Sequence, residues 1–239
     1  MRIGFGKNTA TYPTLPPIPT ASSYYNKGYD YYNDGKYQLA INEFTTAIRL
    51  NPNYTDAYKG RGLAYYTLRQ YQLALQDYDK AIQLDPDYAD AYKGRGETYY
   101  MLAGLTMLRH SFEAAKPIWR LALHDYDKII QLDPNDVLAY SDRARINWNL
   151  DQHQGSIQGW DRVIHLDPNL AMAYTNRGLT YYETGLYQRA IQDFDKAIQL
   201  DPNDALTYDN RGLAYDALGQ DAEANADQAK ACSLNSGLC

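Results

Sequence analysis

The fold class the sequence predicts is an all-α solenoid of six helical hairpins, and three observations predict it. A short peptide recurs at fixed spacing, proline closes each recurrence, and small and large residues return at the same phase between them. The peptide is Leu-Asp-Pro, at Leu84-Asp85-Pro86, Leu132-Asp133-Pro134, Leu166-Asp167-Pro168 and Leu200-Asp201-Pro202, with Leu50-Asn51-Pro52 ahead of them. Successive prolines stand 34, 48, 34 and 34 residues apart. A period in the range of about 20–50 residues marks stacked supersecondary units, each unable to bury its apolar face alone. Anchored on proline, the units are 21–54, 55–88, 89–136, 137–170, 171–204 and 205–238.

Within each unit the first helix carries an aromatic residue at Tyr24, Tyr58, Tyr92, Tyr140, Tyr174 and Tyr208. Four residues on stands Gly28, Gly62, Gly96, Ala144, Gly178 or Gly212, and three further Tyr31, Tyr65, Tyr99, Asn147, Tyr181 or Tyr215. The second helix carries Ala40, Ala74, Ala122, Ser156, Ala190 and Ala224, then Phe44, Tyr78, Tyr126, Trp160, Phe194 and Gln228 four residues later. Offsets of three and four place these residues on one face of each helix. A large side chain seated over a small one lets two helices approach closely. Glycine inside a helix costs about 1 kcal/mol relative to alanine, so its return at one phase argues for such contact. Proline stops each second helix.

A 34-residue helix-turn-helix unit with this small/large pattern and terminal proline resembles the tetratricopeptide repeat (TPR), across residues 21–238. The Asn176-Arg177-Gly178 and Asn210-Arg211-Gly212 runs resemble bacterial, notably cyanobacterial, members. The resemblance implies a right-handed superhelix, first helices on the concave face and second helices on the convex one. It also implies a non-enzymatic scaffold for a protein or peptide partner.

Ahead of the array, residues 1–20 are rich in Pro and Thr (Thr9, Thr11, Pro13, Thr14, Pro16, Pro17, Pro19, Thr20), a composition expected of a flexible tether. The repeat domain then runs over 21–239. The third unit is 14 residues longer than the others, nearly four helical turns. Both its helices are expected to lengthen by about two turns, over Ala89–Leu108 and Ser111–Gln131, with a turn near Arg109-His110. Such a hairpin projects on the order of 10 Å past its neighbours. Pro117 is expected to kink or restart its second helix. The apolar Met107, Leu108, Phe112 and Trp119 in this stretch are candidate contacts for a partner or a second copy, or else the hairpin's own core. The last unit replaces the large aromatic with Gln228 amid Glu223, Asn225 and Asp227, as a terminal helix with nothing stacked on it requires. Cys232 and Cys239 are the only cysteines. A disulfide between them would pin the end of the array, and two reduced thiols are the alternative.

A formal net charge of -6 gives no electrostatic support to a nucleic-acid or anionic-membrane role. No stretch approaches the ~18 apolar residues of a membrane span. The N-terminus lacks the apolar run of a signal peptide. The cytoplasm is therefore the default compartment, and an extracytoplasmic one follows if Cys232–Cys239 is oxidised. No phosphate loop, nucleophile–base pair or metal-ligand set is visible: His110, His124, His153 and His165 fall in different places without partner ligands. No catalytic residue, cofactor or metal is expected.

The two-carboxylate clamp of the TPR family uses Lys and Asn on one first helix, Asn on the next and Lys or Arg on the third. Here those positions read Tyr25 and Tyr29, Gly60, then Asp90 and Gly94; one unit later they read Lys59 and Leu63, Gly94, then Leu138 and Asp142. Neither frame matches. The expected groove is aromatic instead: Tyr32, Tyr66, Tyr100, Trp148 and Tyr182 recur at one phase, flanked by Tyr25, Tyr29, Lys59, Lys93, Arg145, Asn176 and Asn210. With 25 Tyr against 4 Phe, rings with wet hydroxyls suit such a half-buried surface. Packing between adjacent first helices is the competing account of the same tyrosines. A ladder of Arg61, Arg95, Arg143, Arg177 and Arg211 is read as structural. Its expected partners are Asp79, Asp127, Asp161 and Asp195, or Asp85, Asp133, Asp167 and Asp201. The sequence thus points to partner binding in the groove, with assembly through the long hairpin as the alternative.

Overall fold

The computed structural model describes residues 19–238. Most of the Pro/Thr-rich segment, and Cys239 of the expected disulfide, lie outside the described residues. The described residues fold into twelve α-helices in six antiparallel pairs: α1 (Ala21–Asn33) with α2 (Tyr37–Leu50), α3 (Thr55–Thr67) with α4 (Tyr71–Leu84), and α5 (Ala89–Arg109) with α6 (Phe112–Leu132). There follow α7 (Val137–Asn149) with α8 (His153–Leu166), α9 (Ala171–Glu183) with α10 (Tyr187–Leu200), and α11 (Ala205–Asp216) with α12 (Asp221–Leu234). Each second helix packs on its own first helix, and all but α12 also pack on the first helix of the next unit, so the core is a continuous seam.

In the first two units the seam is made by an aromatic ring set between two glycines. A Cβ at either Gly28 or Gly60 would come within 2.8 Å of the Phe44 ring. Phe44 is therefore clamped between its own unit and the next, and it is fully buried. Tyr78 sits in the same way over Gly62 and Gly94. Where the next unit lacks glycine, Tyr126 meets Asp142 instead, and its hydroxyl helps hold the Asp142 carboxyl down.

The arginine ladder ties the same seam. Arg95 reaches Asp125 with two prongs, at 3.0 and 2.6 Å, and Asp79 of the preceding unit at 2.6 Å. Arg177 does the same to Asp193 and Asp161, and Arg211 to Asp227 and Asp195. Arg61 pairs with Asp77 and reaches Thr45 in place of the missing acid. In unit 1 Lys27 and Glu43 take the two roles, 2.8 Å apart. Arg143 has only Asp127, because Gly159 stands where the in-unit aspartate would be. The in-unit acids Asp77, Asp125, Asp193 and Asp227 are buried, and they were not among the expected partners. Burial pushes the Asp125 carboxyl up against the pull of Arg95. Asp85, Asp133, Asp167 and Asp201 have a different duty: each accepts the backbone N–H two residues on and shapes the turn at its proline.

Inside five units the chain reverses through one residue at positive φ. Gly35, Gly185 and Gly219 hold φ of +71 to +74°, whereas Arg69 and Asp151 hold +58°. A side chain there costs on the order of 1 kcal/mol.

The long hairpin forms at the expected place. Its reversal uses His110 and Ser111, and the Ser111 hydroxyl caps α6 by accepting from the Ala114 N–H at 3.1 Å. Of the kink or restart expected at Pro117, the restart does not occur, since α6 continues through it. The ring removes one backbone bond, and the packed partner α5 holds the helix in place.

The candidate peptide groove

The face formed by the first helices is not uniform. At three of its five aromatic positions the ring packs inside its own unit, against the tyrosine that opens the second helix. Tyr32 pairs with Tyr37 at 5.3 Å, Tyr66 with Tyr71 at 5.8 Å and Tyr182 with Tyr187 at 5.4 Å. The Tyr32 hydroxyl also meets the Thr67 hydroxyl at 3.2 Å. The lengthened third unit carries the start of its second helix away, and Tyr100 turns to unit 4. There Arg145 lies 5.0 Å over its ring, and Asn149 Nδ2 donates to its hydroxyl at 3.4 Å. Trp148 is 43% exposed.

Two adjoining clefts open on the flanks of α7 and share Tyr100 and Arg145. One, of about 280 Å³, is walled by Tyr66, Glu97, Met101, Tyr126 and Asp142. The other, of about 260 Å³, is walled by Trp148, Asn149, Trp160, Asn176, Leu179 and Thr180. The first is charged. Burial pushes the Glu97 and Asp142 carboxyls up; Lys93 pulls Glu97 back, while Arg145 and the Tyr126 hydroxyl pull Asp142 back. The second is mainly apolar, and two turns earlier on the first helices runs an exposed row. Leu138, Met172 and Leu206, at 61, 48 and 57% exposure, stand seven residues before Arg145, Leu179 and Leu213. Seven residues is two helical turns, so each pair shares a face.

The structure therefore gathers Tyr66, Tyr100, Arg145, Trp148 and Asn176 at one place, with Lys93 at its margin. Tyr25 and Tyr29 form a separate aromatic cluster with Tyr54, at centroid distances of 6.4 Å (Tyr25–Tyr29) and 5.2 Å (Tyr25–Tyr54). Lys59 pairs with Asp90 at 3.3 Å. Tyr32, Tyr182 and Asn210 line neither cleft. Glu97, the Leu138–Met172–Leu206 row and Trp160, the floor of the second cleft, were not among the expected groove residues. The row was visible as apolar residues recurring in the first turn of three first helices.

On the hairpin, Met107, Leu108 and Phe112 are exposed, Leu108 at 79%. Trp119 is not an external contact: it is 2% exposed, packed with Ala103, Ala115 and Ala122 and under the Phe112 ring at 5.4 Å. The extra turns of α5 and α6 make a core of their own, and Trp119 fills it. Cys232 lies in the last turns of α12. Among the described residues no three His, Cys, Asp or Glu side chains are gathered as metal ligands, and no helix is long and apolar enough to cross a membrane.

Models of the tetratricopeptide repeat match residues 25–89, 62–102, 171–204 and 194–224. The chain belongs to the tetratricopeptide repeat family. Among solved structures it is similar to the MamA protein, at 26% identity over 76% of this chain and 92% of that one, with a TM-score of 0.67. It is also similar to YrrB, described as a TPR protein with an unusual peptide-binding site, at 22% identity over 81% and 92% of the two chains and a TM-score of 0.65. The C-terminal part of a TPR repeat-containing protein from Cytophaga hutchinsonii aligns over 89% of this chain and 80% of that one, at 20% identity and a TM-score of 0.73. The last two, below a quarter identical, speak to the fold alone. No curated protein matches the sequence. At the level of the family, this TPR array is a protein-interaction scaffold.

Proposed function

We propose that this TPR protein holds an extended segment of a partner protein across α5, α7 and α9, with one side chain in each of the two clefts beside α7. The observation that carries the reading is the lapse of in-unit ring pairing at Tyr100 and Trp148, which leaves rigid aromatic surface next to the charged trio Glu97, Asp142 and Arg145. Preformed aromatic rings offer contact area at small entropic cost, and flanking charges select among partners. The groove is thus concentrated in units 3 to 5 rather than spread over the whole array.

The test pans a displayed peptide library on the protein and measures the enriched peptides against Tyr100→Ala and Trp148→Ala. Loss of affinity by about tenfold or more, at unchanged melting temperature, supports the reading. Equal affinity for the double variant rejects it. Assembly is the second reading, favoured by the exposure of Met107 and Leu108 at the hairpin tip. Light scattering on the protein and on Leu108→Lys decides it: a dimer that the substitution dissolves is the expected signature of assembly.

A further inference from the structure

The two non-glycine residues at positive φ, Arg69 and Asp151, belong to the units on either side of the long hairpin. Other units use glycine at this position, which any side chain disfavours. For Asp151 the compensation is visible. Its carboxylate lies 3.1 Å from Lys116 Nζ, so the unit-4 turn is tied to α6 of the hairpin. Arg69 stands at the equivalent place beside the other helix, α5, and meets no acid there. It lines a cleft of about 310 Å³ with Arg109, His110, Tyr71, Leu102, Leu105 and Thr106. Neither Arg69 nor Arg109 makes an ion pair among the described residues, in a chain of net charge -6. Most other arginines lie against carboxylates or rings.

We infer that this cleft is a docking site for an acidic segment of a partner protein, whose carboxylate is taken between the Arg69 and Arg109 guanidiniums. Two guanidiniums lining one cleft offer N–H donors to an oxyanion, and the neighbouring Leu102 and Leu105 suit the stem of a glutamate side chain. Like charges that line one cleft gain from an anion bound between them. The partner anion then does for the unit-2 turn what Asp151 does, with Lys116, for the unit-4 turn. The cleft shares no lining residue with the two clefts beside α7, so this site and the proposed groove stand or fall separately.

The experiment follows the anisotropy of a fluorescein-labelled hexaglutamate peptide, at low salt, over the full chain and the Arg69→Gly and Arg109→Gln variants. Arg69→Gly restores the residue used by three other units, so its melting temperature is expected to stay level or rise. The expected result is affinity lower by about tenfold or more in each variant, unchanged affinity in Trp148→Ala, and no binding of hexaglutamine. Hexaglutamate that binds both arginine variants as well as the parent, or that fails to bind the parent at low salt, overturns the site. Displacement of the peptide by inorganic phosphate at concentrations where acetate has no effect overturns the carboxylate assignment in favour of a phosphate ligand.

Discussion

The seam between units and the face formed by their first helices are built by opposite rules. In the seam, one ring between small residues and one forked arginine recur with little change from unit to unit, as with Phe44, Tyr78 and Phe194, or Arg61, Arg177 and Arg211. On the first-helix face the same repeat positions carry Tyr29, Leu63, Glu97, Arg145, Leu179 and Leu213 in turn. Repetition marks what every unit needs in order to stack. Its absence marks the surface that is free to be particular.

Damage to the seam is expected to give the largest effects. Phe194 is fully buried, and a Cβ at Gly178 would lie 2.7 Å from its ring. Phe194→Ala is expected to cost about 3–5 kcal/mol in urea unfolding, because the helices on either side cannot close the hole. A loss below about 1 kcal/mol would show that the last two units slide together.

The arginine ladder offers a finer comparison within the seam. Asp125→Ala strips the two-pronged bond from Arg95 and leaves a half-buried guanidinium with only Asp79. A loss of about 2–3 kcal/mol is expected, slightly less than for a fully orphaned charge. Asp127→Ala removes the single contact of the more exposed Arg143, and is expected to cost under about 1 kcal/mol. Equal losses in the two variants would mean that the in-unit aspartate is not the stronger anchor.

That distinction also shows what was legible in advance. The hairpin boundaries, the seam rings and the lengthened third unit follow from spacing alone, because each depends on residues that recur. The inter-unit acids Asp79 and Asp127 were legible for the same reason. Asp77 and its equivalents were not, since Gly159 breaks their register and a buried aspartate beside a buried ring is not distinguished by spacing. Trp119 stayed open between partner contact and hairpin core because its covering residues, Ala103 and Ala115, lie in the inserted turns and have no counterpart in other units. The position of the groove was hidden for a related reason. Tyr100 is released only because an insertion moved another residue away, and a repeat pattern records what is present at a position rather than what has left it.

On the first-helix face, truncation is expected to change binding and leave stability nearly intact. Trp148→Ala removes a ring that is 43% exposed, so a loss of less than about 1 kcal/mol is expected. A larger loss would place Trp148 in the seam category and weaken the case for a groove at α7.

The smallest effect sharpens the contrast most. Burial raises the Glu97 carboxyl above its ordinary range, Lys93 offsets part of this, and Asp142 adds to it. A carboxyl whose folded pKa lies above its unfolded one binds more protons in the folded state. Stability therefore falls as pH rises from near the unfolded value, about 4.3, through the folded one. At neutral pH Glu97 is a residue that the fold tolerates at a cost. Glu97→Gln is expected to raise the melting temperature at neutral pH, with the difference closing as the pH is lowered below about 4. A variant that melts lower at neutral pH would show that the carboxylate makes a favourable internal contact, like the acids of the seam. If Glu97→Gln melts higher and also loses peptide affinity, the charge is retained for the ligand. Burial raises the Asp125 carboxyl as well, but its removal leaves the Arg95 guanidinium with Asp79 alone. Among the described residues, by contrast, no cation is held by Glu97 in a short ion pair, and its charge would be kept for the ligand.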